Sequence, residues 1–156
     1  MQPRISKGVA GAIRPIASAV IRRGDDILVW EDLNPTTGEV VAVPLAGGIE
    51  FGETGEAAIR RELLEEIGAA ASAVSYLGTI EDIFEWNGQM RHELHLVYDV
   101  ELADTGFLEL DCVDVVDDGE KYVARWRALS EFRSGARLVP DGLLALVEGL
   151  ADSSGS

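Results

Sequence analysis

A chain of 156 residues is the length of one domain, and its 47% hydrophobic content is that of a folded protein rather than a disordered one. Thirteen Lys and Arg against 28 Asp and Glu leave a net charge of −15. That excludes nucleic-acid polymers and anionic membrane surfaces as partners, because both are held through basic side chains.

Cys112 is the only cysteine, so neither an intrachain disulfide nor a cysteine-based metal cluster can form. Arg4 and Lys7 stand near the N-terminus, but Arg14 and Pro15 interrupt the apolar stretch that a signal peptide needs. No apolar run approaches the ~20 residues of a membrane span. The expected location is the cytoplasm.

In chain order, Ile16 to Arg23 reads as a strand joined through Gly24-Asp25-Asp26 to a second one at Ile27 to Trp30. Residues 34–38 read as a loop, and Val40 to Leu45 as a short strand halted by Gly47-Gly48. From Thr54 to Ile67 the period becomes helical and closes at Gly68. Asn87-Gly88 between Tyr76–Trp86 and Gln89–Leu102 is a strong hairpin signal. On the return strand Leu94, Leu96, Tyr98, Val100 and Leu102 share one face, with His95, Asp99 and Glu101 opposite. Residues 104–119 read as a long acidic connection that could form a mobile wall. A strand from Tyr122 to Ala128 and a helix near Pro140 to Leu150 complete one domain over residues 1–150, and 151–156 read as a disordered polar tail. This order predicts an α/β fold, a mixed sheet covered by helices.

The chemistry concentrates between Gly47 and Ala69. Glu62, Glu65 and Glu66 stand at i, i+3 and i+4, so a helix stacks their carboxylates on one arc of about 100°. Ala57, Ile59, Leu63, Leu64 and Ile67 form the neighbouring arc that can bury against the sheet. Three like charges so close raise one another's pKa values and call for compensation beyond Arg61 alone. A hard divalent cation fits, because Mg²⁺ takes oxygen ligands and keeps waters and substrate phosphates as its remaining ones. Gly47, Gly48 and Gly52 let the backbone approach a ligand closely, and Glu53 can reach back from that loop. The competing interpretation is a solvated acidic helix face.

The whole segment resembles the Nudix box, Gly-x5-Glu-x7-Arg-Glu-U-x-Glu-Glu-x-Gly-U with U aliphatic. Gly47, Glu53, Arg61, Glu62, Leu63, Glu65, Glu66 and Gly68 match, and Ala69 departs where Ile, Leu or Val is usual. The resemblance implies a Nudix-type α/β/α sandwich and a Mg²⁺-dependent pyrophosphohydrolase, with Mn²⁺ able to substitute. Its substrate would be a small nucleotide, a nucleoside diphosphate linked to a further group. It also implies that Glu62, Glu65 and Glu66 bind the metal, helped by the Gly47 carbonyl and Glu53. Glu62 and Glu66 are then the catalytic carboxylates and Arg61 their orienting partner.

Outside the box, Glu93, Glu120, Asp111, Asp114, Asp117 and Asp118 are candidates for an extra base or ligand. Trp30, Phe84 and Trp86 could stack on a nucleobase. Arg23, with Arg22 and Arg91, could contact phosphate, and His92 and His95 fit structural roles. Sequence marks of the ADP-ribose, NADH and coenzyme A subfamilies are missing, and Trp86 stands where dinucleoside polyphosphate hydrolases often have a tyrosine; nucleoside triphosphates and dinucleoside polyphosphates stay ahead of sugar conjugates. The alternatives are a catalytically silent nucleotide-binding module of the same fold and an isomerase built around Cys112. A homodimer remains open among the partners.

Overall fold

The computed structural model describes residues 11–154, with side chains to residue 149; Arg4, Lys7, Gly155 and Ser156 lie outside the described residues. In chain order the elements are β1 (Ile13–Val20), β2 (Arg22–Arg23), β3 (Asp26–Leu33), β4 (Val40–Gly48), α1 (Gly55–Ile67), β5 (Ala71–Trp86) and β6 (Gln89–Leu102). A 3₁₀ turn (Thr105–Glu109), β7 (Cys112–Asp117), β8 (Glu120–Ala128), α2 (Leu129–Arg133), β9 (Arg137–Leu138) and α3 (Leu143–Ser154) follow. α3 thus runs further than the helix expected to Leu150.

The strands lie in the order β5-β6-β1-β4-β3-β8-β7, with β2 beside β3 and β9 beside β4. β1 runs parallel to β6 and β9 parallel to β4, while the other pairs are antiparallel, which makes the sheet mixed. α1 covers one face through Ala58, Ile59 and Leu63, packed with Ala17, Ala19, Leu45, Tyr98 and Val100. α2 and α3 cover the other through Leu129, Phe132, Leu143 and Val147, packed with Val20, Val29 and Val97. The result is the expected α/β/α sandwich. Among the described residues, no helix is long and apolar enough to cross a membrane.

Several local expectations change. The hairpin at Gly24 joins only β2 to β3, through Arg22 with Ile27 and Arg23 with Asp26; β1 pairs instead with β6 and β4. A strand with Ile16, Ala17, Ala19 and Val20 all buried needs cover on both faces and belongs at the centre of a sheet. On β6 the face opposite Tyr98 is equally covered, because Glu93, His95 and Val97 are buried. The acidic connection is not a loop: Val113 and Val115 point into the core with Asp114 and Val116 outward, and β7 forms a hairpin with β8 through Asp118-Gly119. On α1, Ala58 is buried in place of Ala57, and Leu64 is exposed.

The ends of α1 follow their sequence signals. Thr54 caps it by accepting from the Ala57 N–H, and the Gly68 N–H returns to the carbonyls of Leu63 and Leu64. Ala69, the departure from the motif, is buried in the α1 core cluster, so its shorter side chain touches packing and not the carboxylates. Asn87 and Gly88 both take positive φ, 54° and 76°, as a two-residue turn with the twist of its strands requires.

β4 is the strand that positions the site. Its first part, Val40–Pro44, pairs with β3, and its last part, Leu45–Gly48, pairs with β1. The change falls at Pro44, which has no N–H to give to a ladder. Gly47 and Gly48 are therefore the end of a strand, held beside α1, and not a loop.

Candidate active site

α1 and the end of β4 face each other across Arg61, whose guanidinium spends all five of its N–H donors. Nε donates to Glu53 Oε2 at 2.8 Å and one terminal nitrogen to Glu53 Oε1 at 2.9 Å and the Gly48 carbonyl at 3.0 Å. The other terminal nitrogen donates to Glu62 Oε1 at 2.8 Å and Glu65 Oε2 at 3.3 Å. These bonds raise the pKa of Arg61, chiefly the one to Glu53. The same hydrogen bond, helped by the Glu50 N–H, lowers the Glu53 carboxyl from 4.5 to about 2. Arg61 thus compensates more of the acidic arc than its sequence position suggested, because it reaches forward to the loop as well as along the helix.

The arc is not a uniformly solvated face. Glu65 is 58% exposed at its side chain and Glu62 only 13%, and Glu66 is buried with 4% of its surface exposed. A helix that merely carried charge for solubility would not bury one of them. Glu62, Glu65 and Glu66 line a groove of about 520 Å³ with Gly47, Gly48, Glu50, Asp117 and Asp118. Glu53 is not among the lining residues; both of its oxygens are given to Arg61.

Among the described residues, no three acidic, His or Cys side chains already converge as a metal cage; what the carboxylates share is Arg61. The donor set nevertheless suits a hard cation, since Mg²⁺ takes oxygen ligands and retains several waters, so few protein donors suffice. Gly47 keeps the space open: a Cβ there would stand 2.0 Å from Glu62 Cδ. Gly47→Ala is expected to push Glu62 off Arg61 and lower kcat/KM by at least about tenfold, or ~1.4 kcal/mol. Activity within twofold of wild type would show that Gly47 does not set the position of Glu62.

A second cavity of about 440 Å³ adjoins the groove, with Arg14, Ala46, Gly47 and Asp117 lining both. Trp30, Phe84, Trp86, Glu93 and His95 line it, as do Asp82, Tyr122 and Arg137, which the sequence did not single out. Trp30 packs on Tyr122 at 4.9 Å between centroids, and Phe84 meets the edge of Trp86 at 6.4 Å. On its floor Ser18 Oγ lies 3.1 Å from His95 Nδ1, and His95 Nε2 lies 3.0 Å from Glu93 Oε1. Burial pushes the neighbouring Asp82 carboxyl up.

The other candidates are elsewhere. Arg23 lines neither cavity: it donates to the carbonyls of Leu108 and Leu110, pairs with Asp26 and lies over Trp126 at 4.8 Å. It pins the 3₁₀ turn and is not placed to hold phosphate. His92 pairs with Glu81 at 3.0 Å. Asp111, Asp114 and Glu120 are exposed and outside both cavities, whereas Asp117 and Asp118 reach the groove because the β7–β8 turn folds over it. Arg14 was missed because only its parallel pairing beside Glu93 brings it to the site.

The NUDIX domain model matches residues 12–146. No curated protein matches the chain in sequence. Among solved structures, a NUDIX hydrolase from Nitrosomonas europaea is 22% identical, with a TM-score of 0.61 over 91% of this chain and 90% of that one. The ORF135 protein of E. coli, known from a solution structure, is 20% identical at TM-score 0.61, over 90% and 92%. A MutT NUDIX hydrolase from Burkholderia pseudomallei is 25% identical at TM-score 0.56, over 76% and 85%. With the family model covering nearly all of the fold, and with α1 and Gly47 arranged around Arg61, the chain belongs to the NUDIX domain family.

Proposed function

We propose that the chain cleaves a diphosphate bond in a nucleoside diphosphate joined to a further group, a nucleoside triphosphate or dinucleoside polyphosphate being the substrate. The observation that carries this reading is the acidic groove opening directly into a second, partly aromatic cavity. Cavities of this combined size suit a molecule with a charged phosphate part and a flat organic part. The resemblance to the MutT NUDIX hydrolase from Burkholderia pseudomallei supports it.

Glu62, Glu65 and Glu66 are the proposed holders of Mg²⁺, or of Mn²⁺ in its place, with the Gly47 backbone beside them. When bound, the cation would neutralise charge on the phosphates and make water more acidic. Arg61 fixes Glu62 and Glu65 and touches no substrate, since its donors are used. Glu53 is a positioning residue that acts through Arg61. Glu62 is the proposed acceptor of the attacking water's proton. Phe84 offers aromatic surface in the second cavity for the organic group, with the buried Trp30 and Trp86 forming the wall behind it.

The test is release of pyrophosphate or phosphate from a panel of nucleoside triphosphates, dinucleoside polyphosphates and nucleotide sugars. Activity is expected on the first two classes, lost with EDTA and restored by Mg²⁺ or Mn²⁺. Turnover that survives exhaustive chelation would remove the metal, and no release from any compound would remove the hydrolytic reading.

A further inference from the structure

The groove poses an electrostatic problem that the carboxylates cannot solve. Glu50, Glu62, Glu65, Glu66, Asp117 and Asp118 all line it, and a phosphorylated substrate brings further negative charge. Of the described residues lining it, the basic ones are Arg61 and Arg14. Arg61 has no N–H donor left to offer a ligand.

Arg14 stands in a different relation to the site. It precedes Pro15 in β1 and lines both the groove and the second cavity. Its guanidinium lies against the backbone of Gly48, where an added Cβ would be 3.6 Å from a terminal nitrogen. Gly47, the next residue along β4, is the one whose Cβ position falls on Glu62. On its other side the guanidinium is 3.9 Å from Glu93 Oε2, and Glu93 is fixed through His95 to Ser18. A partly exposed cation, steadied from behind by a buried acid, faces the passage between the two chambers.

We infer that Arg14 is the phosphate-binding residue of this site, holding the phosphoryl group that joins the substrate's organic part to the part lying over the carboxylates. The inference rests on the proposed function for its substrate. The missing Cβ of Gly48 gives a phosphate oxygen room to approach beside the guanidinium, whose fork matches two such oxygens. Glu93 keeps the side chain directed at the passage and is a positioning residue.

Methylenediphosphonate, which has the charges of a diphosphate but a P–C–P link that water does not cleave, separates binding from turnover. Its affinity in excess Mg²⁺ would be measured by calorimetry for wild type, Arg14→Ala, Arg14→Gln and Arg14→Lys, with the melting temperature of each. Arg14→Ala and Arg14→Gln are expected to weaken binding at least tenfold, and Arg14→Lys by less than the other two, because lysine keeps the charge and loses the fork. Melting temperatures should stay within a few degrees of one another, since Arg14 is at the surface of the passage. Equal affinity in all four proteins, or no binding by wild type, would overturn the assignment. A wild type that binds the bisphosphonate through Arg14 but cleaves nothing in the nucleotide panel would sink the hydrolytic reading and leave Arg14 in place.

Discussion

Glu66→Gln is expected to lower kcat/KM at saturating Mg²⁺ by at least about a hundredfold, a loss of ~3 kcal/mol of transition-state stabilisation. The substitution keeps the size and helix propensity of the side chain and removes the charge of one proposed metal ligand. Glu66 is 4% exposed, on the buried edge of the arc, where an ionised carboxylate is costly unless a cation offsets it. Glu56→Gln is the matched control: Glu56 lies on the same helix, is half exposed, and pairs with Arg60 at 3.4 Å. Its effect should fall within the ±0.5 kcal/mol typical of a surface change. Small and equal losses in the two variants would return the helix to a solvated acidic face.

Arg61→Lys should be nearly as damaging as Arg61→Ala, with at least about a hundredfold loss of activity in each. Lysine retains the charge but has three donors on one nitrogen, and it cannot bridge Glu53, Glu62, Glu65 and the Gly48 carbonyl together. At neutral pH Arg61→Ala is expected to melt roughly 4–8 °C below wild type, as loss of about 2 kcal/mol does in a domain of this size. The gap should depend on pH with a definite sign. The Glu53 carboxyl is held down from 4.5 to about 2 in the folded protein, so its contribution is complete above 4.5 and disappears as the pH falls toward 2. Melting curves from pH 7 to pH 2.5 should therefore converge as acid is added. A gap that stays constant across that range would mean that the Arg61–Glu53 pair does not stabilise the fold.

Some of this was legible from residues alone, because it depends on local rules. The helix of the motif, its Thr54 cap and its Gly68 stop follow from short-range hydrogen bonding, and the Asn87-Gly88 turn from the φ angles that a tight hairpin imposes. Acidic composition hid β7: Asp114 and Asp117 drew attention away from the alternation of Val113 and Val115, which is the actual strand signal. Arg61 looked insufficient as a counter-charge because helical spacing shows only Glu65, whereas Glu53 and the Gly48 carbonyl reach it through the return of the chain. The charge of Arg23 suggests a phosphate contact, but its guanidinium lies beside the carbonyls of Leu108 and Leu110 and satisfies those first. Arg14 needed the β1–β6 register, a pairing of residues nearly eighty positions apart in sequence, which no local pattern encodes.

The sharing of β4 between β3 and β1 makes that strand a ruler. Val41 and Val43 border the organic chamber and Gly48 the acidic one, with Ala46 and Gly47 common to both. Each residue of a strand advances about 3.3 Å, so Val43 and Gly47 are held about 13 Å apart by backbone geometry, independent of any side chain. On the proposed reading, substrate length would thus be measured by covalent structure and pairing register. Inserting or deleting one residue would turn every following side chain to the opposite face, carrying Gly47 away from Glu62. The 34–39 loop ahead of it, by contrast, borders only the second cavity and lies outside the ladder, so its length and composition can drift while the carboxylate end stays fixed.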